Sequence, residues 1–167
     1  MAIRKKTESI YTGDKTEVPA WQANLDAISP SAYADVEGLD LEPGTYISVI
    51  GRAGGTPYWD EVKKGVEQAA EDLNESLGYS GDDKIKVVYN APDENDNIDE
   101  MVNILDEELA RYPDVIAVSS IDESASEVQF DLATANGIPI VAFDSGNSYQ
   151  GIQCICRTDN KEAERRV

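Results

Sequence analysis

From residue 45 onward the sequence keeps switching its hydrophobic period, and that alternation restricts the fold more than any other feature. "TYISVIG", residues 45–51, is a short apolar run rich in β-branched residues and bounded by Gly44 and Gly51. Its length and flanks predict a buried strand. Trp59, Val62, Val66, Ala69, Leu73 and Leu77 then recur at spacings of three and four, which gives a helix one apolar face. Thr56 is placed to cap that helix, Pro57 suits its first position and Gly78 can close its end. Gly65 sits inside the helix at about 1 kcal/mol of lost propensity relative to Ala, which predicts a close approach of helix to sheet there.

The same switch repeats. "KIKVVYNAP" reads as a second strand, followed by a helix with Ile98, Met101, Leu105 and Leu109 on one face. "DVIAVSSID" reads as a third, followed by a helix marked by Ala125, Val128, Leu132 and Ala135 and ended by Gly137. "IPIVAFDSG" and "GIQCICRTDN" complete five strands, after which "KEAERRV" begins a helical pattern. Alternating strands and helices with strands apolar on both faces predict an α/β fold, an open parallel sheet with helices on both faces and right-handed connections. In such sheets ligands bind beyond the carboxyl ends of the strands, near the point where strand order reverses. Residues 1–44, polar, acidic and broken by Pro19, Pro30, Gly38, Pro43 and Gly44, read as a tail or linker.

Charge and composition remove several function classes. With 33 acidic and 14 basic residues the chain carries a formal charge of −19, which repels nucleic acid and anionic lipid. No apolar run approaches the roughly 20 residues of a membrane helix, and the basic start "MAIRKK" is not followed by the apolar stretch of a secretory signal. The expectation is either a cytosolic protein or one whose signal is already gone. The sequence has no histidine, so an imidazole base and the usual zinc ligands are missing. Cys154 and Cys156 lie two apart in a strand, on one face, poorly disposed to bond each other. No metal or cofactor is expected.

The candidate site residues follow the strands. "GRAGGTPYW", residues 51–59, matches neither the dinucleotide fingerprint nor the P-loop. Instead it offers two aromatics at the mouth of the sheet. Neighbours on a helix diverge by about a hundred degrees, so with Trp59 toward the core Tyr58 faces the cleft. An aromatic face packs on the C–H surface of a sugar ring. Asp122 in "SSIDES" and Asp144 in "FDSGNS" end strands three and four, where a carboxylate accepts hydrogen bonds from two adjacent hydroxyls. For Asp122 an N-cap role stands equally open, and for Asp144 a turn role. In "DENDNIDE", Asp93, Asn95 and Asn97 fit the first EF-hand positions, but Ile98 and Ile104 hold the glycine and glutamate places. A turn capping the second helix is the better reading.

Taken together, "YISVIGRAGGTPYWDEVKKGVEQAA", "YPDVIAVSSIDESAS", "ANGIPIVAFDSG" and "CRTDN", in unbroken order, resemble the type I periplasmic sugar-binding proteins of ABC importers, the ribose/galactose-binding class. The resemblance implies two similar α/β lobes that close on a sugar and present it to a membrane permease. It places Thr56, Tyr58 and Trp59 in the cleft, with Asp144 gripping sugar hydroxyls and Asp122 at a loop position that reaches the cleft in some members. Ser145 stands where ribose-type members have arginine. The acidic tail resembles the linker behind the lipid anchor of Gram-positive members, which implies an extracytoplasmic, cell-surface or periplasmic location. The expected organisation is a linker to residue 44, an N-terminal lobe over 45–157, and at 158–167 the crossover into a second lobe. A lone lobe is expected to bind its monosaccharide or polyol poorly and to pair through its exposed cleft face as a homodimer. Two other readings share the fold. The effector core of a lac-repressor-like regulator calls for a basic helix-turn-helix before residue 45, and a nucleotide- or flavin-dependent enzyme calls for a glycine fingerprint.

Overall fold

Five strands run parallel in the order β2-β1-β3-β4-β5 in the computed structural model, which describes residues 35–158. They are β1 (Tyr46–Ile50), β2 (Lys86–Asn90), β3 (Val115–Val118), β4 (Ile140–Phe143) and β5 (Ile152–Cys156), with α1 (Pro57–Leu77), α2 (Ile98–Leu109) and α3 (Glu127–Ala135) between them. β1 is flanked by β2 and β3 in unbroken register, Ile50 standing beside Asn90 on one side and Val118 on the other. The chain leaves β1 toward β2 and returns past it to β3, so the order reverses between the ends of β1 and β3. That is where an open sheet forms its crevice. Residues 1–34 and 159–167, which hold most of the expected linker and crossover, lie outside the described part.

Local signals explain the helix ends. Thr56 Oγ1 accepts a hydrogen bond from Trp59 N at 3.3 Å, Pro57 occupies the first turn, and Gly78 closes α1 in the left-handed region at φ 70°. At α2, Asn97 Oδ1 accepts from Glu100 N at 3.1 Å while Glu100 Oε1 accepts from Asp93 N at 3.1 Å. The acidic loop 93–97 is therefore a capping turn, and among the described residues no three His, Cys, Asp or Glu gather in a group that could hold a metal.

One face of the sheet carries the core. Ile50, Ile116, Val118 and Ile140 meet Met101, Leu105 and Leu109 of α2 and Phe130 and Ala133 of α3. Full burial of each large apolar side chain contributes about 1.5–3 kcal/mol. Glu108 of α2 is 1% exposed on this face. Its carboxylate accepts from the Tyr46 hydroxyl, from Asn90 Nδ2 at 2.8 Å and from Arg111 Nη1, which satisfies a charge that burial would otherwise make costly.

The opposite face is less covered than the strand pattern predicts. The start of α1 lies on it, with Trp59 stacked edge-on to Phe143 at 6.3 Å. Val115, Ala117, Val141 and Phe143 remain half-buried. Register sets Cys154 beside Val141 and Cys156 beside Phe143, and both cysteines are exposed free thiols. Two further expectations need correction. In α3 the buried stripe is Gln129, Phe130 and Ala133, whereas Val128 is 73% and Leu132 48% exposed. The two stripes share a helical period and differ in phase. Phe130, the larger group, decides the phase by packing on Tyr149 with ring centroids 5.4 Å apart. In α1, a methyl group at Gly65 would meet nothing within 4 Å, so this glycine serves no close approach. Residues 36–44 are tied to the same compact unit, Val36–Arg157, by Tyr79 Oη donating to Leu41 O at 2.7 Å and Gly44 N donating to Asp83 O at 2.9 Å.

Candidate functional site

The cap that starts α1 fixes where its first side chains go. Pro57 sets the turn, and the next two residues diverge as helix geometry requires. Trp59 is 6% exposed, wedged between Phe143 and Tyr58, whose ring stands edge-on to it at 5.0 Å. Tyr58 is 57% exposed at the carboxyl edge of the sheet. Its hydroxyl donates to Asp144 Oδ1 at 2.9 Å. Partial burial first, and then the Asp144 carboxylate, push the Tyr58 phenol above its ordinary value. The indole thus lies buried behind the phenol, which stands exposed at this edge.

Asp144 follows β4 with φ 54°, a left-handed conformation that Asp adopts more readily than most residues. Its Oδ2 accepts from Ser119 Oγ, after β3, at 3.3 Å and from Ser145 Oγ at 3.4 Å. Ser119 Oγ in turn accepts from Ser145 N at 3.3 Å. Ser145 is also bound by a residue the sequence reading passed over. Arg52, just beyond β1, donates from Nη1 to Ser145 Oγ at 2.7 Å and from Nε and Nη2 to Asp96 Oδ1, the Nε bond being 3.0 Å. A line of polar groups, Asp96, Arg52, Ser145, Asp144 and Tyr58, with Ser119 beside it, therefore crosses the crevice where strand order reverses. The sequence signal for Arg52 was a cation placed directly after the first strand of a strongly acidic chain.

The remaining candidates take other places. The Thr56 side chain is engaged by the helix cap. Asp122 Oδ1 accepts from Ser124 N and Ala125 N, both at 2.8 Å, which makes it the anchor of the turn before α3. That turn is joined to the β4–β5 loop by Asn147, whose Nδ2 donates to Ser120 Oγ at 3.0 Å and Glu123 O at 3.1 Å. The Asp122 carboxylate is thus engaged by its own turn, the capping role that the sequence left open beside ligand contact. A second concavity of about 230 Å³ lies between the β1–α1 loop and the end of β2, lined by Gly54, Gly55, Trp59, Asp60, Lys63 and Tyr89 among others. The Tyr89 hydroxyl has no hydrogen-bond partner. Burial first, then Asp60 and Tyr58, push its phenol up to about 12.

Chemically, this edge offers a carboxylate acceptor, two hydroxyls, a guanidinium and an aromatic wall, the inventory of a pocket for a small polar ligand. An open parallel sheet with that inventory at its switch point defines an α/β ligand-binding lobe. More particularly, residues 47–164 match the periplasmic binding protein domain, and the chain belongs to that family. It is similar to a sugar-binding protein of a sugar ABC transporter from Bacillus halodurans, at 30% identity and a TM-score of 0.56, over 71% of this chain and 37% of that one. A carbohydrate transporter solute binding protein from Agrobacterium radiobacter, solved with D-arabinose, is similar at 24% identity and a TM-score of 0.59, over 71% and 36%. A sugar transporter from Clostridium phytofermentans is similar at 21% identity and a TM-score of 0.60, over 70% and 40%. The chain spans less than half the length of each of these proteins. No curated protein matches it.

Proposed function

We propose that this chain supplies one lobe of a sugar-binding receptor that works outside the cytoplasm and delivers a monosaccharide or related polyol to the permease of an ABC importer. The observation that carries the reading is the exposed Tyr58 ring at the carboxyl edge of the sheet, its hydroxyl hydrogen-bonded to the Asp144 carboxylate. The phenol face packs against the C–H surface of a sugar ring, Asp144 accepts from its hydroxyls, and Ser145 adds a third polar contact. Similar solved proteins bind neutral sugars of this kind, D-arabinose, L-rhamnose and D-allose among them. No proton transfer or bond cleavage is required of the site, only recognition.

One lobe covers one side of a ligand, whereas closed pockets bury 70–90% of theirs, so binding by this chain alone is expected in the millimolar range. Titrating the ¹⁵N-labelled protein with D-arabinose, D-ribose, L-rhamnose and D-allose tests the reading. The expected result is a saturable shift of the Tyr58, Asp144 and Ser145 amides for at least one sugar, abolished in Asp144→Ala. Silence of all three amides across the four sugars overturns it.

A further inference from the structure

We propose that Cys154 and Cys156 form a two-thiolate clip for a soft monovalent cation of the copper(I) class, on the sheet face that α1 covers only in part. The inference does not depend on the sugar-binding reading. The two residues are the chain's only cysteines. Both lie on β5, the outer strand of the sheet, and both are exposed free thiols. Register sets Cys154 beside Val141 and Cys156 beside Phe143, and the register shift in this strand pair falls ahead of Cys154. From Cys154 to Cys156 the pairing is therefore regular, and residues two apart on a strand leave the same face.

Spacing decides what such a pair can hold. Alternate residues on a strand lie about 6.6 Å apart, whereas a disulfide needs β-carbons within about 3.5–4.5 Å. The pair is too wide to bond itself without bending the strand. A metal between the sulfurs relaxes that demand. Two thiolate–metal bonds of about 2.3 Å, end to end, span roughly 4.6 Å. Each sulfur reaches that separation by a χ1 rotamer that leans along the strand, with no change of backbone.

The donor set then selects the metal. Structural zinc takes four ligands, but the chain has no histidine, and among the described residues no three His, Cys, Asp or Glu gather in one group. Calcium and magnesium require oxygen ligands. Soft thiolates select copper(I), which is stable between two sulfurs in line. The sequence gave no reason to expect a metal because the usual zinc ligands are missing, and this coordination does not use them. Its balance is simple: two thiols release two protons to the buffer, two S–Cu bonds form, no electron moves, and the clip carries one net negative charge. Ala117, Val141 and Cys154 share one register row. Ala117 and Val141 are half-buried, so the sulfurs have an apolar flank on their inner side, the kind of shell that restricts solvent at a metal. The competing role is that of two independent surface thiols that share a strand.

The test titrates the reduced 167-residue chain with copper(I) under anaerobic conditions, in competition with the chelator bathocuproine disulfonate. Native mass spectrometry reads the stoichiometry, and a thiol reagent reads protection. The expected result is one copper per monomeric chain, with both thiols protected together, while Zn(II) leaves their reactivity unchanged. Cys154→Ser and Cys156→Ser are each expected to weaken copper binding by at least about a hundredfold. Both side chains are exposed, so neither replacement disturbs the core, and an unchanged urea midpoint checks this. A single-serine variant that binds copper as tightly as the parent overturns the proposal. So do one copper shared between two chains and bound copper that leaves either thiol reactive. Air oxidation to an intramolecular disulfide, read as the loss of two hydrogens, overturns the spacing argument on which the clip rests. Neither serine variant is expected to alter sugar-induced shifts at Tyr58, so failure here leaves the sugar reading standing.

Discussion

Gly51 and Gly65 should respond to the same substitution with opposite signs. At Gly51, beyond β1, an added Cβ would lie 2.1 Å from Tyr89 Oη, 2.8 Å from Tyr89 Cζ and 3.2 Å from Trp59 Cε3. No rotation of a phenol ring about its own axis removes a contact on that axis, so Tyr89 must withdraw from the end of β1 and disturb the indole beneath Tyr58. Overpacking of this kind costs about 1–3 kcal/mol. At Gly65, in mid-helix, an added Cβ meets nothing within 4 Å. There only backbone entropy changes, and Gly65→Ala should stabilise by about 0.5–1 kcal/mol. Urea titration followed by far-UV circular dichroism reads both as shifts of the midpoint at constant slope. Gly51→Ala should lower the midpoint, Gly65→Ala should raise it, and Tyr89→Leu should relieve most of the Gly51→Ala loss when the two are combined. A neutral Gly51→Ala, or losses that simply add in the double variant, would refute the close-contact argument.

Three further outcomes follow from buried or exposed groups. Glu108→Ala leaves the Tyr46 hydroxyl and the Asn90 amide without their acceptor and should destabilise by about 2–4 kcal/mol in the same urea assay, with Glu108→Gln losing less. Because the Tyr89 phenol rises from 10.0 to about 12 on folding, its contribution to stability is complete below pH 10 and is lost between pH 10 and 12. An alkaline absorbance titration should show a last phenol near pH 12 that vanishes in Tyr89→Phe. Cys154 and Cys156, both exposed and free, should react with a thiol reagent in the native state, and Cys154→Ser should halve the signal; a protected pair would contradict their placement on the open side of β5.

The sequence displayed what short-range physics decides and hid what packing decides. Strand positions, the Thr56 cap, the Gly78 stop and the opposed directions of Tyr58 and Trp59 follow from local propensity and helix geometry, and each is found in the fold. The phase of α3 does not. Two stripes of helical spacing compete there, and only the space beside Phe130 chooses between them. Gly65 misled for a related reason, since a glycine in a helix looks the same whether it faces a neighbour or water. Arg52 escaped because its meaning depends on Asp96, 44 residues away, and on Ser145, 93 residues away, being brought to one edge. The strand order that makes this edge a crevice is likewise a property of crossovers rather than of any single segment.

Backbone conformation sets the same edge apart, consistent with the role proposed for it. Among the described residues, three other than glycine have positive φ: Asp96 at 59°, Tyr112 at 53° and Asp144 at 54°. Tyr112 lies just past the end of α2 and donates its N–H to Leu109 O at 3.0 Å, an ordinary way to end a helix. The other two are the carboxylates at the two ends of the Arg52–Ser145 line. A left-handed residue other than glycine costs of order 1 kcal/mol or more and persists where its surroundings over-determine it. Here the surroundings are each other: Arg52 pins Asp96, Tyr58 pins Asp144, and Ser145 joins the two halves. Loops following β1, β2, β3 and β4 are thereby tied into one polar surface. In the proposed sugar-binding role, a surface tied together in this way would lose less entropy on binding.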